Sequence, residues 1–191
     1  MRILLLSGGL DSTTLLYSMN ETPDLCLSVD YGQPHVREVG LAMEICATLG
    51  VPHEVSRVSF AAKPDNGLLG GHDGTASASV VRGRNAAFIA LAAMRGAASV
   101  VMGCNADDQE DYIDCRTDVL KEVGKSCGVA VELPFVGLQK WEIAKVARDL
   151  GVPIDKTVSC YRGHVCCECA ACVARGRALS YPLEHPRHGF P

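Results

Sequence analysis

The chain has no excess of basic residues. Its 18 Lys and Arg stand against 22 Asp and Glu, a formal charge of −4 with the histidines neutral. That argues against nucleic acid or another large polyanion as partner, because binding to a phosphate backbone is carried by clustered cations. A small anionic ligand needs only local positive groups and stays open. Apolar runs such as residues 86–94 fall well short of the roughly 20 residues that cross a bilayer, so no membrane partner is expected. The first residues lead at once into a strand-like segment with no cationic leader or cleavage site, which gives a cytoplasmic expectation. No internal repeat is visible. What remains is a chain of 191 residues with 48% apolar content, enough for one domain with a two-faced core.

The ten cysteines are not spread as a disulfide framework would spread them. Five of them (Cys160, Cys166, Cys167, Cys169 and Cys172) fall within thirteen residues near the C-terminus. The others, Cys26, Cys46, Cys104, Cys115 and Cys127, lie singly in strand-like or helical surroundings, where a reduced thiol behaves as a small buried apolar group.

Apolar segments at residues 2–6, 24–30, 52–58, 98–103 and 129–135 read as buried strands. Between them, three- and four-residue apolar spacing predicts helices over 11–20, 36–49, 84–95, 116–127 and 139–150. The fold class that follows is α/β: a Rossmann-like parallel sheet of about five strands with helices on both faces and right-handed crossovers. Ligands in such sheets bind beyond the carboxyl ends of the strands, near a topological switch point. Residues 61–79, rich in Gly, Ser, Ala and Asp, read as a long loop, for which a lid and a disordered surface excursion are both consistent.

The sharpest local feature is "ILLLSGGLDSTTLL", residues 3–16, where an apolar strand passes through two glycines into a helix without the lysine of a Walker loop. Amides at a helix N-terminus and its partly positive dipole end favour an anion, and glycines admit close approach. Ser7, Gly8, Gly9, Leu10, Asp11 and Ser12 are the candidate phosphate cradle. Ser7, Ser12 and Thr13 add hydroxyls, and Asp11 is placed either to cap the helix or to help hold Mg2+. "SGGLDST" resembles the SGGxDS signature of the PP-loop ATP pyrophosphatases. The resemblance implies attack by a substrate oxygen on the α-phosphate of ATP, with pyrophosphate held as the leaving group, and it places adenine and ribose near Asp30 and Tyr31 after the second strand. Taken alone, Asp30-Tyr31-Gly32 is also a plausible strand-ending turn.

Near the C-terminus, Cys160 precedes Cys166-x-x-Cys169-x-x-Cys172, a spacing that turns thiolates toward one centre. Four sulfurs suit tetrahedral Zn2+ in a structural role; an iron–sulfur cluster and a redox disulfide are the alternatives. Cys167 is then a spare and His164 a substitute ligand or a plain loop residue. The resulting organisation is a PP-loop domain over 1–158 and a zinc-binding segment over 159–191 packed on it.

Six stretches taken in order, "SGGLDST", "YGQPH", "GRNAAFIALAA", "NADDQEDYIDCR", "LQKWEIAKVARDLGVP" and "SCY" with its CxxCxxC, resemble the QueC family of 7-cyano-7-deazaguanine synthases through nearly the whole chain. The resemblance implies that ATP adenylates the carboxylate of 7-carboxy-7-deazaguanine, ammonia displaces AMP to give an amide, and a second activation dehydrates the amide to the nitrile. By position, Asp11, Ser12, Arg84 and Lys140 would be catalytic, the two cations meeting polyphosphate or acyl-adenylate charge, although either could be a plain surface residue near a helix start. Tyr112, Asp114 and Arg116 would meet the deazaguanine acid, a carboxylate accepting from guanine-like N–H donors. Cys115 between them has no neighbouring base to make it a nucleophile and reads as packing. Members of the family are commonly homodimers.

The chain departs from the family pattern near that site. Where NAxDYSGYPDCR is usual, Tyr-Ser-Gly is replaced by Gln109-Glu110-Asp111 and proline by Ile113; a usual tryptophan before SCY is Val158. The added carboxylates raise a cationic amine, such as a protein N-terminus, as an alternative acceptor to ammonia, with solvated loop charge as the plainer account. A PP-loop enzyme that modifies tRNA and a non-catalytic nucleotide-binding module are the remaining alternatives.

Overall fold

A computed structural model describes residues 1–33, 36–59, 81, 83–162 and 165–182. The predicted loop at 61–79 and His164 lie outside these residues. Five strands, β1 (Arg2–Leu5), β2 (Leu25–Asp30), β3 (His53–Arg57), β4 (Ser99–Val101) and β5 (Ala130–Glu132), form one sheet in the order β3-β2-β1-β4-β5. Every pairing is parallel. The helices are α1 (Leu10–Ser18), α2 (Arg37–Leu49), α3 (Arg84–Ala93), α4 (Ala106–Asp111), α5 (Thr117–Ser126), α6 (Lys140–Asp149) and α7 (Ala170–Leu179).

Neighbouring residues of β1 serve opposite faces, as the two-residue period of a strand requires. Ile3 joins Leu27, Ile89, Val100 and Leu120 in a core under α3 and α5. Leu4 joins Leu15, Ile45, Val101, Phe135 and Ile143 in a second core under α1, α2 and α6. A third cluster, Leu10, Ala144, Ala147, Val152 and Ala178, fastens α7 over α1 and α6. No described helix is long and apolar enough to cross a membrane.

Two predicted strands are shortened by two or more residues at their carboxyl ends. β5 stops at Glu132 because Pro134, two residues on, has no N–H to donate to a ladder. β4 stops at Val101, and Gly103 packs against α1: a Cβ there would lie 3.3 Å from Ser12 Cα. Two helices were not predicted. α4 is short and, Ala106 apart, polar (ADDQED), so it has no apolar period; Asn105 and Asp108 start it through a reciprocal capping box. α7 (AACVARGRAL) is built of small and basic residues and buries only Ala178 fully.

The sheet runs outward from β1 through β2 to β3, then crosses back to β4 on the other side of β1. The switch point therefore falls between β1 and β4, whose trailing loops carry residues 6–9 and 102–105.

Candidate active site and cysteine cluster

A cavity of about 280 Å3 opens at this switch point. Its floor is the turn from β1 into α1. Gly8 has φ +84°, a left-handed conformation, and a Cβ there would meet Glu38 O at 2.1 Å, so only glycine lets the loop lie against α2. Ser7 N–H donates to Ser12 Oγ at 3.2 Å, the two hydroxyls lie 2.9 Å apart, and Gly9 N–H donates to Ser7 Oγ at 3.1 Å. The hydroxyls thus hold the loop open without a lysine. The first-turn amides of α1 have no upstream helical carbonyl to meet and point their partial positive charge to the same side.

Lys140, at the first position of α6, supplies the cation. Its Nζ donates to Asp11 Oδ2 at 2.7 Å, and its backbone N–H to Asp107 Oδ2 at 2.9 Å. Both side chains of the Lys140–Asp11 pair are mostly shielded, 17% and 18% exposed. Burial alone would lower the Lys140 pKa, but Asp11 and Asp108 outweigh it and hold the ammonium protonated. Asn105 Nδ2 also donates to Asp11 Oδ2, at 3.3 Å, whereas Asp11 Oδ1 is buried with no partner among the described residues. An orphaned carboxylate oxygen beside a phosphate-type loop fits a hard divalent cation.

Arg84, at the first position of α3, is the second cation on the wall. It hydrogen-bonds the Tyr31 phenol, and its Nε is buried without a partner among the described residues. Burial works against its charge, but Tyr31, Asp114 and Cys115 more than compensate. Phe88 sits beside Tyr31 with ring centroids 5.7 Å apart. Tyr112 and Tyr161 also line the cavity and are hydrogen-bonded to each other.

Of the sequence-predicted residues, Ser7, Gly9, Leu10, Asp11, Ser12, Tyr31, Arg84, Tyr112 and Lys140 line this cavity. Gly8 shapes the loop from behind. Asp30, Asp114 and Arg116 are not among the lining residues. Asp30 accepts from Gly32 N–H at 3.1 Å and faces Arg57 at 3.8 Å, while Gln33 takes the place on the wall, its side chain clasping Tyr31 N–H and Val29 O. Asp114 acts through its carbonyl, which accepts from Asn85 Nδ2 at 2.9 Å, and Arg116 is exposed. Cys115 lines the cavity, hydrogen-bonded by Asn85 Nδ2 at 3.4 Å and by the Cys104 thiol. Glu110 and Asp111 are exposed on α4.

Among the lining residues that sequence reading passed over are Asp108, Glu38 and Tyr161. Asp108 lies near Asp11; burial first and Asp11 second raise its carboxyl to about 6. The Asn-x-x-Asp capping spacing after β4 was the available signal. Glu38 is buried, which pushes its carboxyl well above the usual range against the pull of Arg175, Arg84 and Lys140; nothing local in the sequence marks it. Tyr161 follows Cys160 directly, and burial raises its phenol.

The four cysteines converge as the spacing predicts. Cys160, Cys166, Cys169 and Cys172 bring their sulfurs within 4.8 Å of one another, with Cys160–Cys166 at 3.6 Å and Cys166–Cys172 at 4.0 Å. A tetrahedron with metal–sulfur bonds of 2.3 Å has edges of about 3.8 Å. Backbone N–H groups of Glu168 and Cys169 lower the Cys166 thiol to about 6, favouring the thiolate. Cys167 is exposed and adopts φ +59°, turning the chain so that Cys166 and Cys169 face one centre.

A parallel five-stranded sheet with a lysine-free SGGxDS loop at its switch point defines the PP-loop class of nucleotide-dependent enzymes. Solved structures of that architecture align accordingly. The U34-tRNA thiolase NcsA from Methanococcus maripaludis, with its [4Fe-4S] cluster, matches 93% of this chain at a TM-score of 0.54 and 18% identity. The NMN synthetase from Francisella tularensis matches 81% at 0.51 and 19%. This chain spans 63% of each of those two chains, and the likeness is one of fold. At the sequence level the match is closer. The profile of the queuosine biosynthesis protein QueC covers residues 1–182. The 7-cyano-7-deazaguanine synthases of Prochlorococcus marinus (strain MIT 9303) and Methanoregula boonei (strain DSM 21154 / JCM 14090 / 6A8) are 38% and 32% identical. Those alignments cover 93% and 96% of this chain, and 92% and 98% of theirs. The chain belongs to the QueC family.

Proposed function

We propose that the protein is a cytoplasmic ATP-dependent ligase that adenylates 7-carboxy-7-deazaguanine and, with ammonia, converts it through the amide to 7-cyano-7-deazaguanine. The observation that supports this best is the meeting, in one cavity, of the glycine loop, the Lys140–Asp11 pair and the Arg84 guanidinium. A carboxylate attacking the α-phosphate must be brought past the negative charge of ATP, and the two cations that line the cavity, Lys140 and Arg84, offset that repulsion.

In this reading the loop amides and Ser12 hold the departing diphosphate, and Lys140 neutralises charge on the α-phosphate as it becomes five-coordinate. Arg84 receives the substrate carboxylate, with Tyr31 fixing the guanidinium. Tyr112, Tyr161 and Phe88 border the space that would take the planar deazaguanine. The attack joins a carboxylate oxygen to phosphorus and breaks the bond to pyrophosphate. Ammonia then adds to the acyl carbon, AMP leaves, and a proton is lost to give the amide. In the second round the amide oxygen takes AMP, and loss of AMP and of the N–H proton leaves the nitrile.

The orphaned Asp11 Oδ1 would contribute to holding Mg2+, which when bound shields phosphate charge. The compact sulfur set suits Zn2+, with all four positions filled by protein and a structural role. Asp114 lies outside the cavity lining and would act on the substrate only through Asn85 and Arg84, whereas Arg116 is exposed and would meet the substrate only from the solvent side. The described residues after 158 belong with the same domain in this reading, α7 docking on α6.

Mass spectrometry of a reaction containing ATP, Mg2+, ammonium and 7-carboxy-7-deazaguanine tests the reading. The nitrile is expected, with the amide as a transient; ATP bound without any acid-dependent product would contradict it. An adduct formed only with a peptide amine would move the acceptor from ammonia to a protein N-terminus.

A further inference from the structure

The cysteine cluster and the nucleotide loop are joined by one short stretch of chain. Val158 N–H donates to Gly8 O at 3.3 Å, and a Cβ on Gly9 would meet Val158 O at 3.3 Å and Ser159 Oγ at 3.9 Å. Val158, Ser159 and Tyr161 all line the cavity, and Cys160, between them, is one of the four clustered sulfurs. This stretch is neither helix nor strand, so its own backbone does not fix its position.

What fixes it comes from α7. Arg175 lies three residues after Cys172, one helical turn on. Its Nη1 donates to Thr157 Oγ1 at 2.7 Å and lies 3.5 Å from Ser159 Oγ; its Nη2 donates to Ile154 O at 2.7 Å. Thr157 is buried, and its hydroxyl in turn donates to Ile154 O at 2.7 Å. Arg175 also has the ionisable groups of Asp11, Cys172 and Glu38 as electrostatic neighbours, so it stands between the cluster and the loop. A planar fork that binds two acceptors at once sets both the position and the angle of what it grips.

We infer that Arg175 is a positioning residue for the nucleotide site: through Thr157 and Ile154 it presses residues 157–161 against Gly8 and Gly9, and so transmits the order of the cysteine cluster to the phosphate loop. The inference rests on the reading of that loop as the nucleotide site. Its mechanical part, however, is a property of the ligand-free protein.

Hydrogen–deuterium exchange of the metal-loaded, ligand-free chain tests that part directly. In Arg175→Ala, amides of residues 157–161 and 7–10 should exchange about tenfold faster or more, the scale of one charge-assisted hydrogen bond. The metal content and the protection of β1, β2 and β4 should be unchanged. Thr157→Val should reproduce the effect, and adding it to Arg175→Ala should add little, because both remove one linkage. Arg175→Lys keeps charge near Asp11 and Glu38 but cannot reach two acceptors in the same way, and should resemble alanine. The Kd for ATP should rise about tenfold in all three variants, in step with the exchange. Unchanged exchange in both segments, additive effects of the two substitutions, full rescue by lysine, or general loss of protection with loss of metal would each overturn the inference. A wild-type protein that makes no product from the deazaguanine acid would contradict the proposed reaction and leave the exchange results standing.

Discussion

In the proposed reading the phosphate loop and the cysteine cluster would each take a small charged guest, yet they are held in different ways. The loop hangs between β1 and α1, and its shape comes from the sheet: two buried strands, Gly8 at a left-handed φ against Glu38 O, and Ser12 beneath Gly103. The cluster has no strand under it. The described residues between 160 and 172 are held by α7 at one end and by contacts of Val158 and Arg175 at the other, while four thiols crowd at tetrahedral spacing. A region anchored by a core keeps its form without its ligand; a region of close sulfurs and turns depends on the ion that neutralises them.

Four changes test that contrast, beginning with the largest effect. Lys140→Met should cut acid-dependent ATP cleavage by about 10²–10³-fold, the usual cost of removing one preorganised charge at a reacting group. It leaves Asp11 partly shielded and unneutralised, so the melting temperature should also fall by a few degrees. Steady-state kinetics beside a thermal melt separates the two. Gly8→Ala forces a left-handed alanine into Glu38 O and should cost about 3 kcal/mol of global stability in a urea titration, from backbone strain plus overpacking. If the loop were as independent of the sheet as the cluster is, global stability would hardly move.

Metal removal by a chelator should give the opposite pattern. Protection should be lost in residues 157–179 and kept in β1, β2 and β4, with metal content followed by elemental analysis. Cooperative melting of the whole sheet on chelation would erase the distinction. The smallest effect is expected at Cys167, whose φ of +59° suits glycine better; Cys167→Gly should stabilise the metal-loaded protein by about 1 kcal/mol.

Asp108 gives a pH signature of the loop side. Its carboxyl is raised to about 6, so the native state binds more protons than the unfolded chain between about pH 4 and 6. This group therefore makes stability fall as pH rises through that window, and it adds nothing favourable above it. Asp108→Asn keeps an acceptor for the Asn105 cap and removes the charge beside Asp11. Its denaturation midpoint should exceed that of wild type at pH 7.5 and converge on it near pH 4.

The same contrast explains what could be read from the chain directly. The loop is written in consecutive residues: strand, Ser7-Gly8-Gly9, Asp11-Ser12, helix. The cysteine spacing is equally local. The long amphipathic helices and the strands were legible because burial on one or both faces imposes a period. α4 and α7 escaped because one is polar apart from Ala106 and the other is mostly small and basic residues, with no apolar period to find. Glu38, Asp108 and Arg175 escaped for a different reason. Each matters through a partner distant in sequence, and only the packing of α2 against the loop, the crossing from β3 to β4 and the docking of α7 bring them to Gly8, Asp11 and Thr157 respectively. Asp30 was drawn to the site by its place at a strand end, but its own turn and Arg57 take its carboxylate.

The central claim is that this cavity activates a carboxylate by attack on the α-phosphate of ATP. It is tested most directly by following 18O from 7-carboxy-7-deazaguanine labelled in both carboxylate oxygens, with ATP, Mg2+ and ammonium. The account predicts pyrophosphate without label and AMP carrying the carboxylate oxygens, one from each round of activation. Label recovered in inorganic phosphate, with ADP as the nucleotide product, would contradict it.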